Sequence, residues 1–300
     1  MTTRWSADRP LAVVVNRRAG GIDRLEEALA VIRARRDAVV VEMADRLALD
    51  ELLDEVAGRT IVAAGGDGSL QLLAQRLWHR GVLADVELGL LPLGTGNDLA
   101  RAVGIPLDPR AAAGVVVSGR PRPLDLLVDD SGTVALNAVH CGVGGVAVQA
   151  AAALKPVVGR LAYRLGAAWA GAREPGWQVS VELDERLLAE GSVLFIGIGN
   201  GATIGGGALL WPDARPDDGL AEVIVAAAAG TLSRLKLVAA LRSGHAEEAD
   251  GVVVGNGASV HIRGQPIPYI VDGEAIGSSR DRSWEIRPAA WRLLVPAASQ

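Results

Sequence analysis

Six consecutive residues, Gly65-Gly66-Asp67-Gly68-Ser69-Leu70, carry more chemical information than any other stretch of this chain. They follow an apolar run, Thr60-Ile61-Val62-Ala63-Ala64, and precede apolar residues at helical spacing: Leu70, Leu73, Ala74, Leu77 and Trp78. That order reads as a buried strand, a glycine turn and a helix start. Glycines in such a turn let backbone N–H groups close on an anion at the positive end of the helix dipole. Asp67 would repel a bare phosphate, so its place there implies a metal ion or a proton transfer nearby. Phosphate, metal and carboxylate together are the working parts of phosphoryl transfer. Taken alone, the same residues could form a tight turn with a solvated aspartate.

Other segments add matching chemistry. Asn16-Arg17-Arg18-Ala19-Gly20-Gly21 offers backbone N–H groups, one amide and two guanidiniums, a suitable cradle for the phosphates of ATP. An ordinary surface turn has the same composition, and that alternative stands beside it. A second glycine turn, Pro92-Leu93-Gly94-Thr95-Gly96-Asn97-Asp98, follows an apolar run that ends at Leu91. Thr95 and Asn97 can bond a nucleotide through hydroxyl and amide, whereas Asp98 can do likewise or cap the helix that follows. Near the C-terminus, Asp272 and Glu274 flank Gly273 after the run Tyr269-Ile270-Val271. In a strand, residues i and i+2 face one side, so both carboxylates would enter one cleft; the alternative is a polar turn on the β domain. A hydroxyl is a weak nucleophile at neutral pH, and a positioned carboxylate can take its proton as the new bond forms. His79, His140, His245 and His261 show no metal-ligand spacing, and Cys141 reads as a small core residue.

The elements that must position these groups alternate along the first part of the chain. Strands are expected at 11–15, 38–43, 61–64 and 86–91, with helices at 25–35, 49–57, 70–78 and 99–103. Such alternation implies a parallel sheet with both glycine turns on its carboxyl edge. From about residue 124 short apolar runs dominate, at 124–128, 133–139, 178–183, 192–197, 220–225, 259–262 and 284–287. Turn signals such as Asp129-Asp130-Ser131-Gly132 separate them, which predicts an antiparallel β domain with helices near 160–172 and 231–243. The boundary is expected at Arg120-Pro121-Arg122-Pro123. Residues 1–123 would then form an α/β nucleotide-binding domain and 124–288 a β-sandwich for the acceptor, with 289–300 packing back onto the first domain.

The 300 residues carry a net charge of −5, which excludes general attraction to polyanions, so nucleic acid is not an expected partner. A single cysteine excludes an internal disulfide and suits a reducing cytoplasm. The polar start, Met1 to Pro10, does not read as a secretory signal. The uncharged stretch 131–154 contains Asn137, His140 and Gln149, and reads as buried strand, turn and helix rather than a transmembrane segment.

Read together, the Gly65–Leu70 loop and the run Gly94-Thr95-Gly96-Asn97-Asp98-Leu99-Ala100-Arg101 resemble the diacylglycerol kinase catalytic family. That family includes bacterial lipid kinases and, more distantly, sphingosine and ceramide kinases. Asn16–Gly21 occupies the place of the family's asparagine–proline–glycine loop. Gly199-Asn200-Gly201, Gly205-Gly206-Gly207, Pro212 and Asp218-Gly219-Leu220 match its second-domain signature, and Asp272-Gly273-Glu274 its C-terminal acidic motif. NAD kinases and phosphofructokinases share the first loop, but are not expected to carry the second together with the acidic motif.

The resemblance implies an NAD kinase/diacylglycerol kinase-like α/β domain joined to a β-sandwich, with ATP between them. Nucleotide phosphates would lie on Asn16, Arg17, Arg18, Ala19, Gly20, Gly65, Gly66, Asp67, Gly68 and Ser69, with Gly94, Thr95, Gly96 and Asn97 closing over them. Glu274 takes the place of the family's general base, while Asp272 and Asp67 would orient the nucleophile and hold Mg²⁺. A secondary magnesium site is implied at Asp218 and Leu220, although Arg215 stands where a ligand oxygen is expected, and a simple Asp-Gly turn is the alternative. Gln71 keeps an amide after the first loop, but Leu72 replaces a carboxylate. The activity implied is transfer of the γ-phosphoryl group of ATP to a lipid hydroxyl, diacylglycerol foremost. The enzyme would be cytoplasmic, meeting the inner membrane face peripherally, and a homodimer is compatible with the resemblance. A non-catalytic nucleotide- or lipid-binding relative, and a kinase of a soluble polyol, sugar or dinucleotide, are the alternatives.

Overall fold

The computed structural model describes residues 9–43, 48–143, 175–227 and 249–297. The helices expected at 160–172 and 231–243, and His245, lie outside the described residues. Four strands, β1 (Leu11–Val15), β2 (Ala38–Glu42), β3 (Thr60–Gly65) and β4 (Glu87–Pro92), form a parallel sheet in the order β4-β3-β1-β2. The residues of β1, β3 and β4 are buried throughout, which is why they read as unbroken apolar runs instead of alternating ones. Helix α1 (Leu25–Arg33) buries Leu25, Ala28, Leu29 and Ile32 along one stripe. Helices α2 (Ala48–Glu55), α3 (Asp67–His79), α4 (Asp98–Ala102) and α5 (Pro109–Ser118) complete this part.

Two differences from the sequence reading bear on chemistry. Helix α3 begins at Asp67 rather than Leu70, so the aspartate of the glycine turn belongs to the first helical turn. Helix α5 was not foreseen, yet its start is written in the chain. The Asp108 side chain accepts the Ala111 N–H at 3.0 Å, and Pro109 follows at the first helical position.

The remaining strands are mostly antiparallel: β5 (Arg120–Asp129), β6 (Val134–Ala135), β7 (Ala138–Gly142), β8 (Trp177–Leu183), β9 (Arg186–Gly199), β10 (Thr203–Ile204), β11 (Ala208–Leu209), β12 (Ala221–Ala227), β13 (Val252–Gly257), β14 (Ser259–Val271) and β15 (Glu274–Val295). β9 and β14 each pair with β8 along one half and with β7 along the other. They therefore run through both layers of a sandwich, around a core that includes Val139, Cys141, Ile196, Ile198, Tyr269 and Trp284. The run expected as one strand at 133–139 is two strands, broken at Leu136-Asn137.

β15 joins the two halves. It pairs with β14 and β5 in the sandwich, then shifts register between Arg287 and Trp291, where Ala289 has φ 50°. Beyond that bulge Arg292 and Leu293 pair in parallel with Glu87 and Leu88 of β4. The sheet is thus continuous, 13 strands among the described residues. Arg120-Pro121-Arg122-Pro123 lies inside β5, not in a linker. Its prolines sit opposite Leu294 and Arg292 of β15, on an edge that carries no other strand there among the described residues, so their missing N–H groups break no ladder among them.

Trp291 is fully buried in the first-domain core, and its Nε1–H donates to the Asp125 carbonyl at 2.9 Å. Trp291→Ala removes both, and is expected to lower the unfolding free energy by about 3–5 kcal/mol in urea titrations followed by circular dichroism.

Candidate active site

Three strand ends converge on one cleft. Asn16 follows β1; its N–H donates to the Ala64 carbonyl at 3.0 Å and its amide Nδ2 to Ser69 Oγ at 2.9 Å. Its Oδ1 accepts the Arg18 N–H at 3.0 Å, so the first loop is tied to the first turn of α3. The Gly21 N–H donates to the Leu93 carbonyl at 2.9 Å, which ties the same loop to the second glycine turn. Gly66 and Gly94 meet backbone to backbone: a Cβ on Gly66 would stand 3.0 Å from the Gly94 Cα, and one on Gly94 would overlap Gly66. Only glycine at both positions lets the two turns approach this closely. A Cβ on Gly65 would likewise overlap Ser69, and one on Gly20 would lie 3.8 Å from the Thr95 hydroxyl oxygen.

The second turn spends its amide on itself. Asn97 is buried in the left-handed region at φ 53°, its Oδ1 accepting the Gly94 N–H at 3.1 Å and its Nδ2 donating to the Gly94 carbonyl at 2.9 Å. It shapes the turn, while Thr95 is the exposed side chain of the pair expected to touch nucleotide. Asp98 does not cap α4: Asn97 holds the cap position. The Asp98 carboxylate reaches across to the second domain and accepts from Thr203 Oγ1 (2.9 Å), Gly206 N–H (2.8 Å) and Gly207 N–H (2.7 Å). The N-terminus of α4 is met instead by Asp67, which accepts the Asp98 N–H at 3.1 Å and the Leu99 N–H at 3.3 Å. The Asp67 and Asp98 carboxylates flank Gly96, whose Cβ position lies 3.1 Å from one and 3.4 Å from the other. Burial first, and then the charge of Asp98, push the Asp67 carboxyl above its usual range.

Asp272 and Glu274 are not i and i+2 of one strand. Asp272 (φ 45°) and Gly273 (φ 89°) are the two central residues of a tight turn, with Val271 of β14 opposite Glu274 of β15. The Asp-Gly pair between apolar runs was the signal for that hairpin. Asp272 accepts backbone N–H groups from Leu136 (2.7 Å), Asn137 (2.9 Å) and Ala138 (2.9 Å), and so holds the break between β6 and β7. Burial outweighs these three donors, and the Asp67 charge adds to it, so the carboxyl is pushed up to about 6. Glu274 is exposed, with Oε1 3.7 Å from the Cβ position of Gly68.

A cleft of about 570 Å³ is walled by Asn16, Arg17, Arg18, Ser69, Leu72 and Glu274, with Gly66 and Gly68. The second glycine turn, Asp67 and Asp272 do not line it. Arg17 turns to Glu42, so only Arg18 offers the cleft a guanidinium without an ion pair among the described residues. The Gln71 amide donates to the Val134 carbonyl at 3.0 Å and is spent on docking the second domain. Gln75 does the same, donating to the Gly132 carbonyl and accepting the Val134 N–H, each at 2.8 Å.

The second metal site does not fit a cation. Asp218 folds its Oδ1 onto the Leu220 N–H at 3.0 Å, which is an Asx turn. Arg215 lies 3.7 Å from Asp217, and Arg122 holds Asp217 at 2.9 Å. A guanidinium repels a metal where a ligand oxygen would attract one.

One residue escaped the sequence reading. Asp125, buried in β5, accepts the Gly219 N–H at 2.7 Å and the Ala289 N–H at 2.8 Å, while its carbonyl accepts from Asn200 Nδ2 at 3.1 Å. The clue was a charged residue inside the apolar run Leu124-Asp125-Leu126-Leu127.

This geometry defines a two-domain protein of the kinase type, with glycine turns on a parallel sheet facing a carboxylate from a β-sandwich. A solved structure described as a diacylglycerol kinase from Bacillus anthracis str. Sterne shares the fold, with a TM-score of 0.78 at 20% identity over 97% of this chain and 98% of that one. The family model for the diacylglycerol kinase catalytic domain matches residues 10–128, and that for the YegS C-terminal NAD kinase beta sandwich-like domain matches 137–295. A "Probable lipid kinase YegS-like" of Pseudomonas aeruginosa is 33% identical, covering 97% of this chain and 96% of its own length. One of the same name from Stenotrophomonas maltophilia is 38% identical over 75% of this chain and 74% of its own. The chain belongs to the diacylglycerol kinase catalytic-domain family, with the YegS-type second domain.

Asp272 supplies a pH test of the geometry. Its folded pKa is raised from 3.8 to about 6, so the folded state holds that proton more tightly than the unfolded chain. The resulting stability is fully present below about pH 4 and is lost as pH rises through about 6. Urea midpoints between about pH 4 and about pH 7 are expected to show this decline in the wild type, and Asp272→Asn is expected to lack it.

Proposed function

We propose that the protein transfers the γ-phosphoryl group of ATP, with Mg²⁺, to a lipid hydroxyl, with diacylglycerol the acceptor and phosphatidic acid the product. The observation that carries this reading is the Glu274 carboxylate, brought from the β-sandwich to the glycine turn at the start of α3. Family membership supports it, as do relatives named as lipid kinases.

Backbone N–H groups at the start of α3 and the Arg18 guanidinium would hold the phosphates in the cleft. Magnesium would be bound with the nucleotide and would neutralise charge on the phosphate oxygens. The oxygens of Asp67 and Asp98 are already engaged by backbone and hydroxyl donors, so these two carboxylates serve the fold. Glu274 accepts the hydroxyl proton as the acceptor oxygen bonds to the γ-phosphorus, and the bond to the β-phosphate oxygen breaks to release ADP. Asp67 and Asp272 act by positioning: the first holds α4, the second holds the strand break beside the cleft. The acceptor would be met at a membrane surface. Among the described residues no helix is long and apolar enough to cross one.

Glu274→Gln keeps the shape and removes the base. Transfer from labelled ATP to vesicles containing diacylglycerol is expected to fall by about 10²–10⁴-fold, with ATP binding retained. Near wild-type turnover by this variant would remove Glu274 from the chemistry. Phosphorylation of a soluble polyol, with no lipid product, would overturn the acceptor assignment.

A further inference from the structure

Glu42 is the last residue of β2, the edge strand beside β1, and it lines the same cleft as Asn16, Ser69 and Glu274. Its carboxylate is held on one side only. Arg17 Nε donates to Oε1 at 2.9 Å and Arg17 Nη2 donates to that same oxygen. Oε2 has no partner among the described residues. The Arg17 hydrogen bond and charge hold the carboxyl below its usual range, so the group is an ionised acceptor at neutral pH. Both side chains are more than half exposed, at 66% and 55%, and such a pair contributes little to folding.

The path of a bound nucleotide follows from what surrounds the cleft. On the β4 side the second domain closes it: Asp98 grips Gly206 and Gly207, and α3 grips Val134 through Gln71 and Gln75. The transferred phosphate must face Glu274 on that side. The nucleoside then runs the other way, across the end of β1 toward β2, where Arg17, Arg18, Glu42 and Met43 form the wall. A ribose presents two adjacent O–H donors, and an ionised carboxylate with a spare oxygen is their natural acceptor. Parallel α/β folds that bind nucleotides use an acidic side chain beyond the phosphate loop in this way.

We propose that Glu42, oriented by Arg17, binds the ribose 2′-hydroxyl of the nucleotide and so selects ribonucleotide over 2′-deoxyribonucleotide. The assignment deepens the ATP-dependent reading above and rests on it.

Calorimetric titration of the full chain with ATP and with 2′-deoxy-ATP tests it without any need for turnover. The wild type is expected to bind ATP about tenfold more tightly, the effect of one hydrogen bond to a charged acceptor. In Glu42→Ala, ATP affinity is expected to fall to that of 2′-deoxy-ATP, whose own affinity changes little. Arg17→Ala should weaken the preference by freeing the carboxylate. Equal affinities in the wild type, or an undiminished preference in Glu42→Ala, overturn the role of Glu42 and leave ATP binding standing. Binding of neither nucleotide overturns the ATP reading and this assignment with it. Both positions are exposed, so thermal melts of the variants should match the wild type.

Discussion

Four aspartates spend their oxygens on backbone N–H groups from distant segments, and the arrangement of the molecule depends on that exchange. Asp67 holds the start of α4, Asp98 the glycine turn at 206–207, Asp125 the turn at Gly219 and the bulge at Ala289, and Asp272 the break between β6 and β7. Each partner lies where regular pairing fails and an N–H would otherwise go unsatisfied. Each carboxylate lies where water is scarce and a charge needs donors. The two needs cancel, and irregular backbone becomes as fixed as a strand.

That exchange divides labour among the acidic residues. Those locked by backbone donors shape the site, whereas Glu274, exposed at the start of β15, accepts no such bond among the described residues. Its position is exact to the degree that the hairpin is rigid. The Asp272-Gly273 turn sets where β15 begins, and the rest of β15 anchors the hairpin in both domains through Trp284 and Trp291.

The cationic groups divide in a similar way. Arg122 and Arg215 pair with Asp217 in the second domain, next to Asp218 where a metal was expected. In the cleft Arg17 is occupied by Glu42, while Arg18 carries no ion pair among the described residues.

The sequence alone determined the alternation of strand and helix, both glycine turns, the two-part architecture and the family. These are legible because they rest on local quantities: apolar periodicity, glycine at sharp turns, and the order of motifs along the chain. Tertiary structure decided what each polar side chain does. Asn97 and Gln71 could have faced a nucleotide, but backbone neighbours took them first. Asp98 could have capped a helix, but a loop some hundred residues away offered three donors. Asp272 looked like a strand partner of Glu274, yet its Asp-Gly pair turned the chain and its oxygens closed on Leu136–Ala138. A polar side chain bonds to whatever donor or acceptor folding brings within about 3 Å, and that neighbour is seldom close in sequence.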